Sequence, residues 1–267
     1  MNVQSVQHRD DPRVTDYLDL TDTAGRRRRE GDEFFIAEGP TAIERLLTSD
    51  HRVRSVLVAE NKLSRLAPVL DGLDAPVFVA PREVLAEVVG FDLHRGAVAS
   101  ADRRPLASIE ELAARSTRLA VLEGLNDPEN LGAISRSARA FGIDGLVLDP
   151  TCIDPYYRRT VRVSMGEVLH LDVARARRWP DDLDLLHDAG FETWAMSPAA
   201  EGDDLWDLAP PERTAIVLGA EGPGLAERTI ERATRRVRIP IVAGVDSLNV
   251  GSAAAVTFAV CNRPPPR

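Results

Sequence analysis

Cysteine is almost absent from this chain, since only Cys152 and Cys261 occur among its 267 residues. Two thiols cannot form a disulfide framework, and no Cys/His cluster has the spacing of zinc ligands, so we expect a cytoplasmic protein and no bound metal. Long apolar runs are also absent. The longest, residues 253–260, is far shorter than the roughly 20 residues that cross a bilayer. No basic stretch followed by an apolar one occurs near Met1, so we expect neither a signal peptide nor a membrane anchor.

Lysine is even scarcer. Of the 33 lysines and arginines, Lys62 is the only lysine. The net charge of -9 argues mildly against a nucleic-acid partner, but local clusters carry more weight than the total. Arginine presents a planar fork that grips phosphate in a way that lysine does not. Arg26, Arg27, Arg28 and Arg29 form one run, which is either a solvated segment or an arm that contacts RNA phosphates.

Apolar strand patterns alternate with helical patterns from residue 34 onwards. This alternation predicts an α/β protein with a largely parallel sheet flanked by helices. A polar, charged stretch at 106–117 predicts a linker between a smaller α/β domain over residues 1–105 and a second domain over 118–267. Within the second domain, one strand is predicted at 169–173.

Three segments of the second domain carry candidate chemistry, and the first is residues 130–142. Apolar residues recur at i, i+4 and i+7 from Ile134 and predict a buried helix face. Arg136 and Arg139 share another side of the same helix. They lie near its N-terminus, where positive charge opposes the helix dipole. An anionic ligand would explain this placement, and an ordinary solvated helix face is the alternative.

The second segment is a glycine-rich loop, residues 218–225, which follows an apolar strand. Its glycines allow tight turns and close approach of the backbone to a ligand. Their spacing, Gly-x-x-Gly-x-Gly, differs from the dinucleotide fingerprint Gly-x-Gly-x-x-Gly, and Glu221 would repel a pyrophosphate. The loop favours a cationic or hydroxyl-bearing ligand, with a plain glycine turn as the alternative.

The third segment, residues 246–255, combines the helix-capping residues Ser247 and Asn249 with a run of small residues. Small side chains let a helix pack closely against other backbone. Such closeness serves either core packing or a narrow ligand crevice, and the residues alone leave both interpretations open.

Together, the order and spacing of these segments resemble the SpoU (TrmH-like) family of RNA ribose 2′-O-methyltransferases, in the knotted SPOUT class. Residues 130–142 are similar to the family's Asn-x-Gly pattern, with arginine before Ser/Thr-Ala and a closing Phe-Gly. Residues 219–224 match Gly-x-Glu-Gly-x-Gly, and residues 247–252 match Ser-Leu-Asn-Val followed by small residues. More weakly, 35–39 and 94–96 resemble the small α/β RNA-binding domain of rRNA-directed members.

The resemblance implies a trefoil-knotted C-terminal domain that binds S-adenosylmethionine, a homodimer formed through that domain, and ribose methylation of structured RNA, with 23S rRNA as first choice. The implied catalytic residues are Asn130, Arg136, Glu221, Ser247 and Asn249. The implied cofactor contacts are Leu218, Gly219, Glu221, Gly222, Ile239, Ile241, Leu248 and Asn249. Expected RNA contacts are Arg26, Arg27, Arg28, Arg29, Arg139, Arg158, Arg159 and Arg162.

Arg136 corresponds to the family's proposed catalytic residue. Because a guanidinium stays protonated, we expect it to bind the adjacent phosphate and stabilise the developing oxyanion rather than act as a general base. Phosphate-assisted proton transfer is the open alternative. Two further functions compete, namely ribose methylation of tRNA and a non-catalytic RNA-binding role in ribosome assembly. A nucleotide-dependent oxidoreductase is disfavoured, because the glycine loop follows a late strand instead of the first one.

Overall fold

The computed structural model describes residues 1–22, 30–199 and 201–262. Its strands are β1 (Asn2–Ser5), β2 (Phe34–Glu38), β3 (Val53–Ala59), β4 (Pro76–Ala80), β5 (Ala97–Asp102), β6 (Arg118–Glu123), β7 (Gly145–Leu148), β8 (Asp172–Arg175), β9 (Glu192–Met196), β10 (Asp203–Asp204), β11 (Thr214–Gly219) and β12 (Arg235–Arg238). Its α-helices are α1 (Pro40–Leu47), α2 (Glu60–Leu70), α3 (Arg82–Val89), α4 (Ile109–Ala114), α5 (Pro128–Ala140), α6 (Arg158–Val163), α7 (Leu183–Asp188), α8 (Glu227–Arg232) and α9 (Val250–Cys261). Across these described ranges, every helix is too short or too polar to span a membrane.

The first compact unit contains Met1–Arg104 and Tyr156–His170. Its five-stranded sheet has the order β1-β4-β3-β5-β2, with β5 antiparallel to β2 and β3 and the other pairs parallel. Alternate residues of β2 enter two apolar clusters: Phe35 lies on the face that α1 and α2 cover, and Ile36 lies on the face that α3 covers. Both faces of this sheet are therefore buried, which explains why β2 is apolar throughout its first four residues.

Segment Tyr156–His170 packs in the first unit, although the sequence-based boundary put it in the second domain. The Tyr156 ring stacks on Phe35 with 5.3 Å between ring centres. Val161 and Leu169 are buried in the same apolar cluster. Packing of a distant segment depends on the folded sheet, so it leaves no periodic signal in the local sequence.

The structure also differs from the sequence-based prediction at one strand and at the linker. The predicted strand 169–173 is replaced by a 3-10 turn in the first unit, and β8 begins only at Asp172. The predicted linker 106–117 contains α4, which begins with a capping box between Ser108 and Glu111. Three of the six residues of α4 are buried, so this polar-looking stretch is an amphipathic helix of the second unit.

The second compact unit contains Pro105–Pro155 and Leu171–Arg267. Its seven-stranded sheet has the order β10-β12-β9-β11-β6-β7-β8, and each described strand pair is parallel. In β11, Ile216 belongs to an apolar cluster with residues of α5 and α9, whereas Val217 belongs to one with residues of α4 and α7. This confirms the predicted α/β fold with a parallel sheet flanked by helices.

Strands β12, β9 and β11 are neighbours in this sheet. Because they are parallel, their carboxyl ends lie at one edge, which is where ligands bind in open α/β sheets. The chain leaves β11 at Gly219 into the glycine loop and leaves β12 at Arg238 towards the third motif. Sheet order therefore brings two motifs together that are far apart along the chain.

Candidate active site

A cavity of about 630 Å³ lies at this edge, between the loops that follow β9, β11 and β12. Pockets that enclose drug-sized molecules span about 300–1,000 Å³. All eight residues predicted to bind the cofactor line the cavity: Leu218, Gly219, Glu221, Gly222, Ile239, Ile241, Leu248 and Asn249. Residues 196–198 and Asp246 line it as well, and sequence reasoning missed them. Their only signal is a position just after a strand or inside a motif loop.

Gly219 explains the glycine spacing of the second motif. A Cβ atom at this position would lie 2.2 Å from the carbonyl carbon of Gly224, a distance that no side chain tolerates. Gly224 has a positive φ of 69° and its N–H donates to the carbonyl of Ala220 (3.0 Å). The loop therefore folds back on the end of β11 and presents backbone atoms to the cavity.

The side chain of Asn249 connects the three motifs. Its Nδ2 donates to Oδ1 of Asn130 at 3.0 Å and to Oε1 of Glu221. Its Oδ1 accepts from the N–H groups of Gly251 (2.9 Å) and Ser252 (3.2 Å), which caps the N-terminus of α9. Both amide hydrogens and the amide oxygen are thus used. Glu221 accepts one of these hydrogens through Oε1.

Arg136 and Ser247, the other two predicted catalytic residues, lie outside this hydrogen-bonded cluster. Arg136 is exposed on α5, about 9 Å along the helix axis from Asn130. Its guanidinium makes neither a hydrogen bond nor an ion pair with the described residues, which leaves its donors available to an external anion. The prediction that Arg136 and Arg139 lie near the N-terminus of this helix is wrong, because α5 begins at Pro128 and Arg139 lies in its last turn, where positive charge interacts favourably with the helix dipole. Ser247 lines the cavity, and the cap of α9 is Asn249 instead.

Residues 117–259, which contain all three motifs, match the model of the SpoU rRNA Methylase family. The chain belongs to this family. Over 262 residues it is 41% identical to an uncharacterized tRNA/rRNA methyltransferase of Mycobacterium tuberculosis, an alignment that covers 97% of this chain and 91% of the relative. Membership makes the chain a methyltransferase of the SpoU family, as the three motifs predicted.

Solved structures agree with this assignment over the whole fold. The AdoMet-bound rRNA methyltransferase from Sinorhizobium meliloti aligns with a TM-score of 0.82 at 24% identity, covering 98% of both chains. A structure described as an RNA 2′-O ribose methyltransferase aligns with a TM-score of 0.80 at 29% identity, covering 97% of this chain and 98% of that one. The similarity therefore extends through both units of the SpoU-family chain.

Glu123 at the end of β6 supports the glycine loop of this SpoU-family site, and sequence reasoning missed it. Its carboxylate accepts from the N–H of Ala226 (2.7 Å), from Nε1 of Trp179 (2.7 Å) and from the hydroxyl of Thr229. Glu123 also pairs in register with Gly219 on β11. The donors come from two segments distant from Glu123, namely Trp179 and the start of α8, so the only local signal is an acidic residue that ends an apolar strand.

The arginines predicted to contact RNA differ in whether the structure describes them and in whether they have partners within the chain. Arg26, Arg27, Arg28 and Arg29 lie outside the described residues. Arg139 and Arg159 are exposed, and each already has an interaction within the chain.

Arg158 and Arg162 have a structural role that the sequence did not reveal. Both form ion pairs with the buried carboxylate of Glu38, and the Arg162 pair spans 3.2 Å. Arg158 also donates to the carbonyl of Leu20 (3.2 Å) and lies over the ring of Phe91. These partners compensate a buried charge of the first unit, so Arg158 in particular does not present a free guanidinium.

The two cysteines do not supply a nucleophile. Burial raises the pKa of the Cys152 thiol to about 12 and the pKa of the Cys261 thiol to about 11. Both therefore remain protonated near neutral pH, and a thiol is a far weaker nucleophile than a thiolate. Among the residues that the structure describes, no group of three His, Cys, Asp or Glu side chains is placed to hold a metal ion.

Proposed function

We propose that this SpoU-family protein transfers a methyl group from S-adenosylmethionine to a ribose 2′-hydroxyl of structured RNA, with 23S rRNA as the first candidate substrate. The observation that carries the proposal is the link that Asn249 makes between Asn130 and Glu221, at the rim of a cavity lined by the glycine loop. A pure RNA-binding protein has no need for this cluster beside a ligand-sized cavity.

The cavity fits S-adenosylmethionine in size and in chemistry. Its wall includes the apolar side chains of Leu218, Ile239 and Leu248 and the backbone of the glycine loop. Such a wall suits an adenosine that is recognised mainly through backbone groups. The carboxylates of Glu221 and Asp246 also line the cavity, and they suit the positive charge of a sulfonium and an ammonium group. When bound, the cofactor supplies an electrophilic methyl group.

The residues of this chain then act on the nucleophile. As the ribose oxygen takes up the methyl group, its hydroxyl proton passes to the adjacent phosphate or to water. The oxygen reacts slowly unless its developing negative charge is stabilised. Arg136 stays protonated and has no ion-pair partner among the described residues, so it can bind the phosphate beside the target ribose and stabilise that charge. Asn130 and Glu221 orient the ribose from their shared contact with Asn249. Ser247 faces the same cavity and contacts the nucleotide.

We also propose that the C-terminal domain is knotted and that the protein is a homodimer formed through this domain. Support comes from two exposed apolar side chains that do not line the cavity, Val242 and Val245. Val242 exposes 76% of its surface. Exposed apolar clusters of this kind usually mark an interaction surface.

The first experiment measures tritium transfer from labelled S-adenosylmethionine to rRNA and to tRNA from an unmodified strain, with Arg136→Ala beside the unchanged protein. We expect label in an alkali-resistant dinucleotide of rRNA, and a rate about 10²–10³-fold lower in Arg136→Ala. Arg82→Ala is the matched control, because it removes the same charge from an exposed arginine that Asp92 already neutralises.

If the label appeared in tRNA alone, tRNA would replace rRNA as the proposed substrate. Tight RNA binding without any transfer would refute the catalytic proposal and favour a ribosome-assembly factor. Full activity of Arg136→Ala would refute the role of Arg136 while leaving the reaction intact.

A further inference from the structure

A second cavity, of about 410 Å³, lies in the first unit between α1, α2 and the turn before β5. Its lining includes Lys62 and Arg65 of α2, Arg95 of the turn, and Arg162. Among the described residues, no carboxylate lines it. This is unusual for a chain with a net charge of -9, because four like charges that converge on one cavity repel each other.

In the ranges that the structure describes, three of these cations lack the carboxylate partner that other arginines of the unit have. Arg82 pairs with Asp92 at 2.6 Å and Arg104 pairs with Asp50 at 3.1 Å. In contrast, Lys62, Arg65 and Arg95 make no hydrogen bond or ion pair within the described parts of the chain. The convergence of unpaired cations therefore has no structural explanation, and it is the arrangement expected for an anion site.

Two glycines shape the backbone so that the basic side chains lie against it. Gly39 has a φ of +93°, and a Cβ there would lie 2.7 Å from Cδ of Arg95. Gly96 has a φ of +67°, and a Cβ there would lie 2.6 Å from Cγ of Lys62. A Cβ at either position would force the neighbouring basic side chain to shift. The two glycines therefore let Arg95 and Lys62 lie close against the backbone beside the cavity.

Backbone amides add to the positive potential. Gly39 is the N-cap of α1 and provides no side-chain cap. The N–H groups of Thr41 and Ala42 in the first turn have no acceptor within the described chain, and both residues line the cavity. Free N–H groups at a helix N-terminus stabilise an anion, most strongly phosphate. Arg162, which Glu38 holds at 3.2 Å, contributes a fixed guanidinium to the same wall.

We propose that this cavity binds successive backbone phosphates of the RNA substrate, through Lys62, Arg65, Arg95 and the first turn of α1. The proposal rests on the proposed function and adds to it a specific contact site in the first unit. RNA is favoured over a small free anion because the cavity is open and because its cations spread along two elements, α2 and the turn before β5. An RNA backbone presents several phosphates in succession to such a spread of cations, whereas a free anion presents one.

The test uses the fact that Lys62 is the only lysine of the chain. An amine-directed acylating reagent therefore modifies Lys62 and the N-terminal amine, and mass spectrometry of digested protein measures both rates. The probes are in-vitro-transcribed 23S rRNA, bulk unmodified tRNA and inorganic phosphate. At an RNA concentration about ten times its Kd, roughly one-tenth of sites stay free. We expect acylation of Lys62 to slow about tenfold relative to the N-terminal amine.

A second measurement compares salt dependence of RNA binding in Arg65→Ala and Arg95→Ala with that in Arg82→Ala. Removing one phosphate contact lowers the slope of log Kd against log salt by about 0.7–0.9. We expect this loss in the first two variants and an unchanged slope in Arg82→Ala, with the affinity for S-adenosylmethionine unchanged in all three. Circular dichroism confirms that each variant is folded.

Equal acylation of Lys62 with and without bound RNA overturns the cavity proposal and leaves the proposed methyl transfer intact. Protection by millimolar phosphate but not by RNA overturns the assignment to RNA. Absence of RNA binding by the unchanged protein overturns both proposals together.

Discussion

Replacement of Asn249 separates two roles that one side chain combines. In Asn249→Ala, α9 loses its N-cap, which costs about 1 kcal/mol. The buried Oδ1 of Asn130 also loses the donor that lies 3.0 Å away, which costs about 1 kcal/mol more. We expect Asn249→Ala to lower the free energy of unfolding by about 2 kcal/mol, measured by urea denaturation, and to abolish methyl transfer.

Asn249→Ser is the matched variant, because serine caps a helix as well as asparagine but is too short to reach both Asn130 and Glu221. We expect it to lose only about 1 kcal/mol of stability, to retain a folded α9, and to remain nearly inactive in tritium transfer. If Asn249→Ser transferred methyl groups at the rate of the unchanged protein, the connection of the three motifs through this amide would have no catalytic role.

Three further predictions follow from particular contacts. Gly219→Ala forces a Cβ against the carbonyl of Gly224, so the affinity for S-adenosylmethionine in calorimetry falls at least tenfold, and near-normal binding would contradict the geometry. Glu123→Gln weakens the bonds from Trp179 and Ala226; we expect a loss of about 1–2 kcal/mol in urea denaturation and a higher KM for the cofactor, whereas an unchanged KM would rule out support of the loop. Burial lowers the pKa of His51 below its ordinary 6.5. As the pH falls below about 6.5, the His51 imidazole is therefore protonated in the unfolded chain while it is still neutral in the folded protein, and the folded protein loses stability. His51→Gln should lose less stability than the unchanged protein between pH 7.5 and pH 5.5, and parallel losses would contradict the assignment.

Much of the candidate site follows from local chemistry that is legible in the sequence. A glycine loop after an apolar strand, a capping asparagine before small residues, and an arginine on an amphipathic helix are each local patterns. Their order along the chain identified the family, and all the predicted cofactor contacts line one cavity. The parallel sheet was predictable for a similar reason, because β11 and its neighbours are apolar on both faces.

Other features depend on contacts between distant segments and escaped prediction. Strand β1 (Asn2–Ser5) has a mostly exposed, polar sequence and exists because it pairs with β4. Arg158 resembled an RNA contact, yet the buried Glu38 binds it. The role of Glu123 depends on donors from two distant segments, Trp179 and the start of α8. None of these partners can be read from spacing along the chain.

The sequence by itself determined the three motifs and the candidate residues within them, because caps, turns and helical faces depend on neighbours a few positions away. The tertiary structure alone decided where those residues meet. Sheet order placed the loops after β9, β11 and β12 at one edge, and it moved Tyr156–His170 into the first unit. It also assembled the cavity around Lys62 from α1, α2 and the turn before β5. Burial and electrostatic attraction act through space between segments, so their outcome is set only when the chain has folded.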